Sequence, residues 1–291
     1  MNIPANILTG IADEAATDLP TQLKVHQELG WKEIELRQID KKNVTFELTE
    51  TEFDRAVEQI REAGLTVTAF ASAIGNWSRP ISGNFQKDVE ELKTAIPRMH
   101  KLGVKYIRTM SWTGDDVAEA DWKKECLRRY QELVKMAEDG DIVLCHENCS
   151  GWAGLTAENS VELFETLGSS HLAALFDIGN TISHGLHTLD YYHQVKPYIR
   201  YVHVKDAASK AMDQERTQFC LPGEGDAQLQ AVLTDLLRSG YDGVISIEPH
   251  IASIIHLEGQ ETDPEYMKNS YLEYGRAFVA LVEEVRQSLC S

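Results

Sequence analysis

The sequence predicts an α/β protein folded as a (β/α)8 TIM barrel, with residues 1–291 forming one domain. Short apolar runs alternate with amphipathic segments eight times along the chain, which is the pattern of a closed parallel barrel. Gly30, Gly64 and Gly103 each end an amphipathic segment just before the next apolar run, as glycines at helix ends do. The length also suits one barrel, whose typical size is about 250 residues.

The apolar runs are the predicted strands. They are short and rich in Val, Ile and Leu, which is typical of parallel strands that are buried on both faces. In chain order they span residues 7–12, 33–37, 66–71, 104–111, 142–147, 173–177, 199–205 and 244–248.

The amphipathic segments between the strands are the predicted helices. Their apolar residues recur three or four positions apart, as Phe53, Val57 and Ile60 do, so each helix has one face for the core. They span residues 19–29, 53–63, 89–102, 122–137, 161–167, 189–195, 229–237 and 265–289. We expect the longest loops after strands three, four and seven, on the side where barrels build their sites, at residues 75–84, 113–121 and 206–228.

The composition narrows the class of protein. The net charge of −18 and the pI of about 4.9 disfavour contact with a phosphate backbone, so we do not expect nucleic acid as a partner. No apolar run is long enough to span a bilayer and the first residues lack the features of a signal peptide, so we expect no membrane partner either. The five Cys are scattered without CxxC spacing, which indicates a reduced, cytoplasmic protein.

Four strands in the second half of the chain end in residues that bind metals. Glu147, Asp177, His203 and Glu248 end strands five to eight. Because the carboxyl ends of barrel strands meet at one opening, these side chains should converge. Two Glu, one Asp and one His form an oxygen-rich ligand set, which predicts a site for one divalent ion, Mn²⁺, Mg²⁺, Co²⁺ or Zn²⁺.

The alternation of side chains along each strand predicts which neighbours share this site. Residues two apart face the same way, so an inward His203 brings Tyr201 and Lys205 inside with it. On strand four, the same argument turns Arg108 inward. An unpaired buried guanidinium costs several kcal/mol, so we expect a carboxylate partner such as Glu35.

Several motifs, taken in order, resemble those of a known family. HENC lies at strand five, FDIGN at strand six, YVHVKDA at strand seven with LPGEGD after it, and SIEPH at strand eight. In this order and spacing they resemble the xylose-isomerase-like TIM barrels, the sugar (phosphate) isomerases and epimerases related to tagatose 3-epimerase and inosose isomerase/dehydratase. The opening IADEAATDLP and the ELR that ends strand two resemble one branch of that family. The resemblance covers nearly the whole chain.

The resemblance implies a function and roles for the four residues. Glu147, Asp177, His203 and Glu248 would bind one divalent cation, and Glu147 and Glu248 would also be the catalytic acid/base residues on opposite faces of the substrate. It implies an isomerase or epimerase of a sugar or polyol (a ketose or inosose) that transfers protons through an enediolate. A dehydratase or lyase acting on a keto-sugar or inosose would use the same ligands and stays open. Relatives are often dimers or tetramers, which leaves a homo-oligomer open.

An endonuclease IV-like DNA-repair enzyme is a further, less expected alternative with the same barrel. Such enzymes need extra His ligands. The ends of strands three and four, which read FASAIG and TMSWTG, contain no His. Asn180 stands where relatives often carry a His, three residues after the Asp. The stretch KDAAS also lacks the Arg that epimerases place beyond the metal-binding His, so the contacts to sugar hydroxyls should differ from theirs.

Further residues are candidates for contact with the substrate. Lys205 could bind a substrate oxygen or pair with Asp206 or Glu224. Arg37 could bind a phosphate or carboxylate of the substrate, or form an ion pair with Glu14 or Glu35. The candidates are Lys205, His250 (which could instead orient Glu248), Arg37, Asn180, Glu14 and Trp112, whose ring could stack on a sugar.

Overall fold

Eight parallel strands form the barrel, as predicted. The computed structural model describes residues 6–114, 116–208, 218–252 and 263–290. Consecutive strands are neighbours around the sheet, and β8 pairs with β1. A parallel bridge between Ile11 and Glu35, with a 2.8 Å hydrogen bond from Thr9 Oγ1 to Glu33 O, closes the sheet between β1 and β2. The strands are β1 (Ile7–Gly10), β2 (Glu33–Leu36), β3 (Thr66–Ala71), β4 (Tyr106–Ser111), β5 (Val143–Gly151), β6 (Leu172–Asp177), β7 (Ile199–Val204) and β8 (Val244–Ile247).

Helices surround the strands, and several begin at caps that are visible in the sequence. The Asp18 carboxylate accepts from the Thr21 backbone N–H, and Thr49 and Glu52 form a capping box. Within the described ranges, no helix is long and apolar enough to cross a membrane. The helices are α1 (Leu19–Glu28), α2 (Glu50–Glu62), α3 (Gln86–Leu102), α4 (Glu119–Asp139), α5 (Ala157–Leu167), α6 (Ile178–Ser183), α7 (Thr188–Val195), α8 (Leu229–Arg238) and α9 (Pro264–Cys290).

Two of the loops that follow strands contain short strands of their own. The loop after β2 forms a small hairpin, Gln38–Ile39 with Lys42–Asn43, and the loop after β7 forms another, Asp206–Ala208 with Gln218–Cys220. Part of the predicted loop 206–228 lies outside the described residues. The short helix α6, which directly follows β6, was not predicted.

The hydrophobic core has two parts, one between the sheet and the helices and one inside the barrel, and the site lies above the inner part. Val202 and Val204 belong to the large core between the sheet and the helices, whereas Tyr201 belongs to a small cluster inside the barrel. This confirms the predicted alternation along β7. The interior cluster fills the barrel below the strand ends and consists of Ala69, Cys145, Ala173, Leu175, Tyr201 and Val244.

Candidate metal centre

The four strand-end residues converge at the carboxyl end of the barrel. One possible ligand atom from each of Glu147, Asp177, His203 and Glu248 lies within 4.8 Å of the others. All four side chains are buried, with exposures of 2% or less. The parallel strands β5 to β8 are adjacent, so their ends place these residues side by side.

Each of the four residues has one buried polar atom that makes no hydrogen bond of regular geometry within the described part of the chain. These atoms are Glu147 Oε2, Asp177 Oδ2, His203 Nδ1 and Glu248 Oε2. The three oxygens face positively charged side chains, with Lys205 Nζ 2.9 Å from Asp177 Oδ2 and Glu248 Oε2 and Arg108 Nη1 3.4 Å from Glu147 Oε2. Three carboxylate oxygens and one imidazole nitrogen are the donors that a small divalent cation prefers, so the residues fit a metal ion.

Asn180 fixes two of the acidic residues. Asp177 caps the start of α6 by accepting from the Asn180 N–H at 2.9 Å through Oδ1. The Asn180 side chain then donates to Glu147 Oε1 at 3.1 Å and to the Asn148 carbonyl at 3.0 Å. Asn180 thus occupies one oxygen of each acid and leaves the other oxygen directed to the cluster.

Glu35 holds the His203 ring from the opposite side. Its carboxylate lies 3.0 Å from His203 Nε2 and accepts from Tyr201 Oη at 2.8 Å. A proton on Nε2 is donated to Glu35, which leaves Nδ1, 3.4 Å from Glu248 Oε2, as the nitrogen that would bind a cation once it has lost its own proton. The expected pair of Glu35 with Arg108 is wrong, because Arg108 Nη1 lies 3.4 Å from Glu147 Oε2 instead.

Arg37 is surrounded by carboxylates. Its Nε contacts Asp13 at 3.0 Å, Nη1 contacts Glu248 Oε1 at 2.9 Å and Nη2 contacts Glu14 at 3.4 Å. The ion pair with Glu14 is therefore present, whereas the alternative with Glu35 is not. Because Arg37 is 3% exposed and held by three carboxylates, its geometry does not match that of a free anchor for a substrate anion.

Lys205 and His250 extend this network. Lys205 Nζ lies 2.9 Å from Asp177 Oδ2 and 2.9 Å from Glu248 Oε2, so neither Asp206 nor Glu224 is its partner. His250 has a left-handed backbone (φ 53°), and Glu14 contacts both its backbone N–H and its Nδ1. Its Nε2 lies 3.4 Å from Lys205 Nζ.

Asp206 and Glu224 have other environments. The Asp206 carboxylate accepts backbone N–H groups of the following loop, those of Ala207, Gly223, Gly225 and Ala227. Glu224 is exposed. The motif LPGEGD therefore wraps around Asp206.

The electrostatics of the cluster indicate an excess of negative charge. Burial raises the pKa of Asp177 to about 7, and although Lys205 opposes this shift, Glu147 and Glu248 add to it. Burial disfavours a charged His203, but Glu35 and Glu248 outweigh burial and raise its pKa to about 10. Both shifts favour bound protons, as expected for a site that is short of positive charge.

Trp112 is not at this site, which corrects the expectation that its ring stacks on a sugar. The side chain is fully buried and packs edge-to-face against Phe85 and Tyr130. Its indole Nε1 donates to Asp88 Oδ2 at 3.0 Å. With every face covered by the protein, the ring has none to offer a ligand.

Sequence reasoning missed Asp13 and Glu35 as members of the site. Both are buried, and both bind a residue of the network directly, Asp13 to Arg37 and Glu35 to His203. The signal for Glu35 was its position two residues before Arg37, on a strand where charged residues alternate with Ile34 and Leu36.

Fold and site together define a class of protein: a TIM barrel with a buried acidic and imidazole cluster at the carboxyl ends of its strands. Residues 23–270 match the family model described as xylose isomerase-like TIM barrel. The chain belongs to this family.

Curated relatives match only part of the chain. An uncharacterised protein of Methanocaldococcus jannaschii is 34% identical over 122 residues, which are 40% of this chain and 40% of that protein. An inosose dehydratase of Bacillus thuringiensis is 24% identical over 142 residues, 45% of this chain and 47% of the enzyme. The matches thus span less than half the length of these relatives.

Solved structures match over nearly the whole chain at low identity. The IolI protein with a bound zinc atom has a TM-score of 0.75 at 18% identity, covering 96% of this chain and 98% of that one. A D-tagatose 3-epimerase-like protein has a TM-score of 0.74 at 18% identity, with coverages of 97% and 99%. At this identity the likeness establishes the fold.

Proposed function

We propose that this protein is a divalent-metal-dependent isomerase or epimerase of a sugar or polyol, with ketoses and inososes as the substrate class. The observation that carries the proposal is the convergence of Glu147, Asp177, His203 and Glu248, each of which has a possible ligand atom within 4.8 Å of the others. The likeness to a D-tagatose 3-epimerase-like protein and to a zinc-bound IolI protein supports it.

The four residues would hold the cation through these atoms. Burial, with the neighbouring carboxylates of Glu147 and Glu248, raises the pKa of Asp177 to about 7 although Lys205 opposes the shift. A bound divalent ion supplies the missing positive charge and stabilises negative charge that develops on the substrate's carbonyl and neighbouring hydroxyl oxygens. The donor set suits Mn²⁺, Mg²⁺, Co²⁺ and Zn²⁺ alike.

Glu147 and Glu248 are the proposed acid/base pair. Each is held through Oε1, Glu147 by Asn180 and Glu248 by Arg37, so that each carboxylate has a fixed orientation. Burial disfavours the charge of Glu248, but Lys205 and the neighbouring imidazoles hold its pKa well below the usual range, so it is ionised and can accept a proton. One Glu removes the proton next to the substrate carbonyl, and the other returns a proton to the opposite face or to the adjacent carbon.

A dehydratase that acts on a keto-sugar or inosose is the second candidate. The match to an inosose dehydratase over 142 residues favours it. The first step, proton removal next to a carbonyl, is the same. The reactions diverge afterwards, because a carboxylic acid then protonates the β-hydroxyl, which leaves as water, and no proton returns to carbon.

Two measurements test the proposal. Elemental mass spectrometry of the purified protein should find about one divalent ion per chain, which His203→Ala should lose. In D₂O, NMR should show exchange of the α-proton in a ketose or an inosose, abolished by Glu147→Gln and by Glu248→Gln. Loss of water from the substrate would instead select the dehydratase. No bound metal after loading with Mn²⁺ or Co²⁺, together with no exchange, would refute both candidates.

A further inference from the structure

Lys205 places a positive charge inside the proposed metal centre. Its ammonium lies at ion-pair distance, 2.9 Å, from both Asp177 Oδ2 and Glu248 Oε2, and these are two of the four proposed ligand atoms. We propose that Lys205 is a tethered counter-ion that neutralises these oxygens in the metal-free protein and must leave them when a divalent ion binds. Lys205 thereby lowers the metal affinity of the site. The inference rests on the proposed metal centre.

The ammonium and the metal compete for the same two oxygens. A small divalent ion binds carboxylate oxygens at about 2.0–2.2 Å. An ammonium 2.9 Å from the same atoms would then lie within a few ångströms of the ion, where like charges repel strongly even at an effective dielectric constant of about 20. Occupation by one cation therefore disfavours the other.

His250 gives the ammonium a contact besides the two carboxylates. His250 Nδ1 lies 2.7 Å from the Glu14 carboxylate, to which a proton on Nδ1 is donated. In that tautomer, the lone pair on Nε2 is an acceptor, and it lies 3.4 Å from Lys205 Nζ. A lysine side chain has a flexible four-carbon stem, so the ammonium can turn away from the carboxylates while it keeps its contact with His250.

Gly179 makes room for the lysine stem. A Cβ atom at Gly179 would collide with Lys205 Cγ and with the Lys205 carbonyl. Glycine at this position of FDIGN thus lets the stem pass directly over the start of α6, next to Asp177. Both motifs, FDIGN and HVKDA, are needed to bring the ammonium to the cluster.

The first test measures metal affinity directly. Metal-stripped wild type, Lys205→Met and Lys205→Gln are titrated with Mn²⁺ by calorimetry. Lys105→Met is the matched control, because Lys105 is an exposed lysine paired with Asp141 at the start of β4. We expect Lys205→Met to bind Mn²⁺ at least tenfold more tightly than wild type, which corresponds to about 1.4 kcal/mol. The control should stay within twofold.

The second test asks whether lysine and metal substitute for each other. When a chelator removes all metal, Lys205→Met should unfold at a lower temperature than wild type, because the buried carboxylates lose their counter-ion. At saturating Mn²⁺ the difference should shrink or reverse, because the metal now neutralises them. A role of Lys205 in the fold alone would leave the difference equal in both conditions.

A Lys205→Met affinity for Mn²⁺ equal to or weaker than that of wild type would overturn the inference.

The outcomes also separate this inference from the proposed function. If wild type binds Mn²⁺ and Lys205→Met binds no more tightly, only the role of Lys205 fails. If neither protein binds a divalent ion, the metal centre fails with it. If only the variant binds, the competition is stronger than expected and the inference stands.

Discussion

Replacing Glu35 by Gln should weaken metal binding although Glu35 is not a proposed ligand. Glu35 lies 3.0 Å from His203 Nε2 and is completely buried, so no water can take its place as the hydrogen-bond acceptor. A carboxylate in this position fixes the ring, selects the tautomer with a free Nδ1 and makes that nitrogen a better donor to a cation. The amide of Gln keeps the size and removes the charge.

The structure allows the size of the effect to be worked out. Loss of such a carboxylate partner of a metal-binding histidine lowers metal affinity by about 10- to 100-fold. This corresponds to about 1.4–2.7 kcal/mol. The same carboxylate also accepts from Tyr201 Oη at 2.8 Å, and the single carbonyl oxygen of Gln cannot serve both donors as well. We therefore expect the upper half of this range.

Titration of metal-stripped protein with Co²⁺ or Mn²⁺ measures the change. Glu33→Gln is the matched control, because Glu33 lies on the same strand and its carboxylate contacts only the exposed Lys32 N–H among the described hydrogen bonds. Glu33→Gln should bind metal like wild type. An affinity of Glu35→Gln within twofold of wild type would show that Glu35 does not orient His203 for a cation.

Two further predictions concern residues outside the metal centre. Trp112→Phe removes the 3.0 Å hydrogen bond to Asp88 Oδ2. Urea unfolding should show a free energy of unfolding lower by about 1–3 kcal/mol, whereas the KM should not change. A large rise in KM would instead indicate that the ring stacks on the substrate. Burial holds the pKa of His26 at about 4, below its unfolded value of about 6.5, so the neutral ring stabilises the fold above pH 6.5. About 3 kcal/mol of that stability should be lost as the pH falls from 6.5 to 4. His26→Gln should lack this part of the pH dependence in urea titrations, and parallel curves for the two proteins would contradict the assignment.

The fold was predictable because local patterns and tertiary contacts agree in this chain. The residues Val202 and Val204 face the helices and Tyr201 faces the interior, which the period of two along a strand predicts. Helix α6 could not be predicted in this way. Its start depends on Asp177 acting as a cap for the Asn180 N–H, and the sequence made Asp177 look only like a strand end.

The residues that form the site could be predicted better than the contacts between them. Convergence of Glu147 and Glu248 follows from barrel topology alone. Which positively charged side chain contacts each carboxylate depends on how far the side chains extend across the barrel. The pattern of residues along a strand does not give that information. Arg108 was therefore assigned to Glu35, two strands away, whereas its guanidinium lies 3.4 Å from Glu147 on the adjacent strand.

The second half of the barrel provides the proposed ligands, and the first half provides most of the residues that hold them. The proposed ligands lie on or directly after β5 to β8, Glu147 within β5 and the other three at strand ends, and each directs one atom to the cluster. Partners that hold them from outside the cluster come largely from the first half: Glu35 holds His203, and Arg37 holds Glu248. Closure of the barrel between β1 and β2 is what brings these partners into contact with the ligands. Substitutions in the first half should therefore change metal affinity although no proposed ligand lies there, and the comparison of Glu35→Gln with Glu33→Gln examines that division of tasks directly.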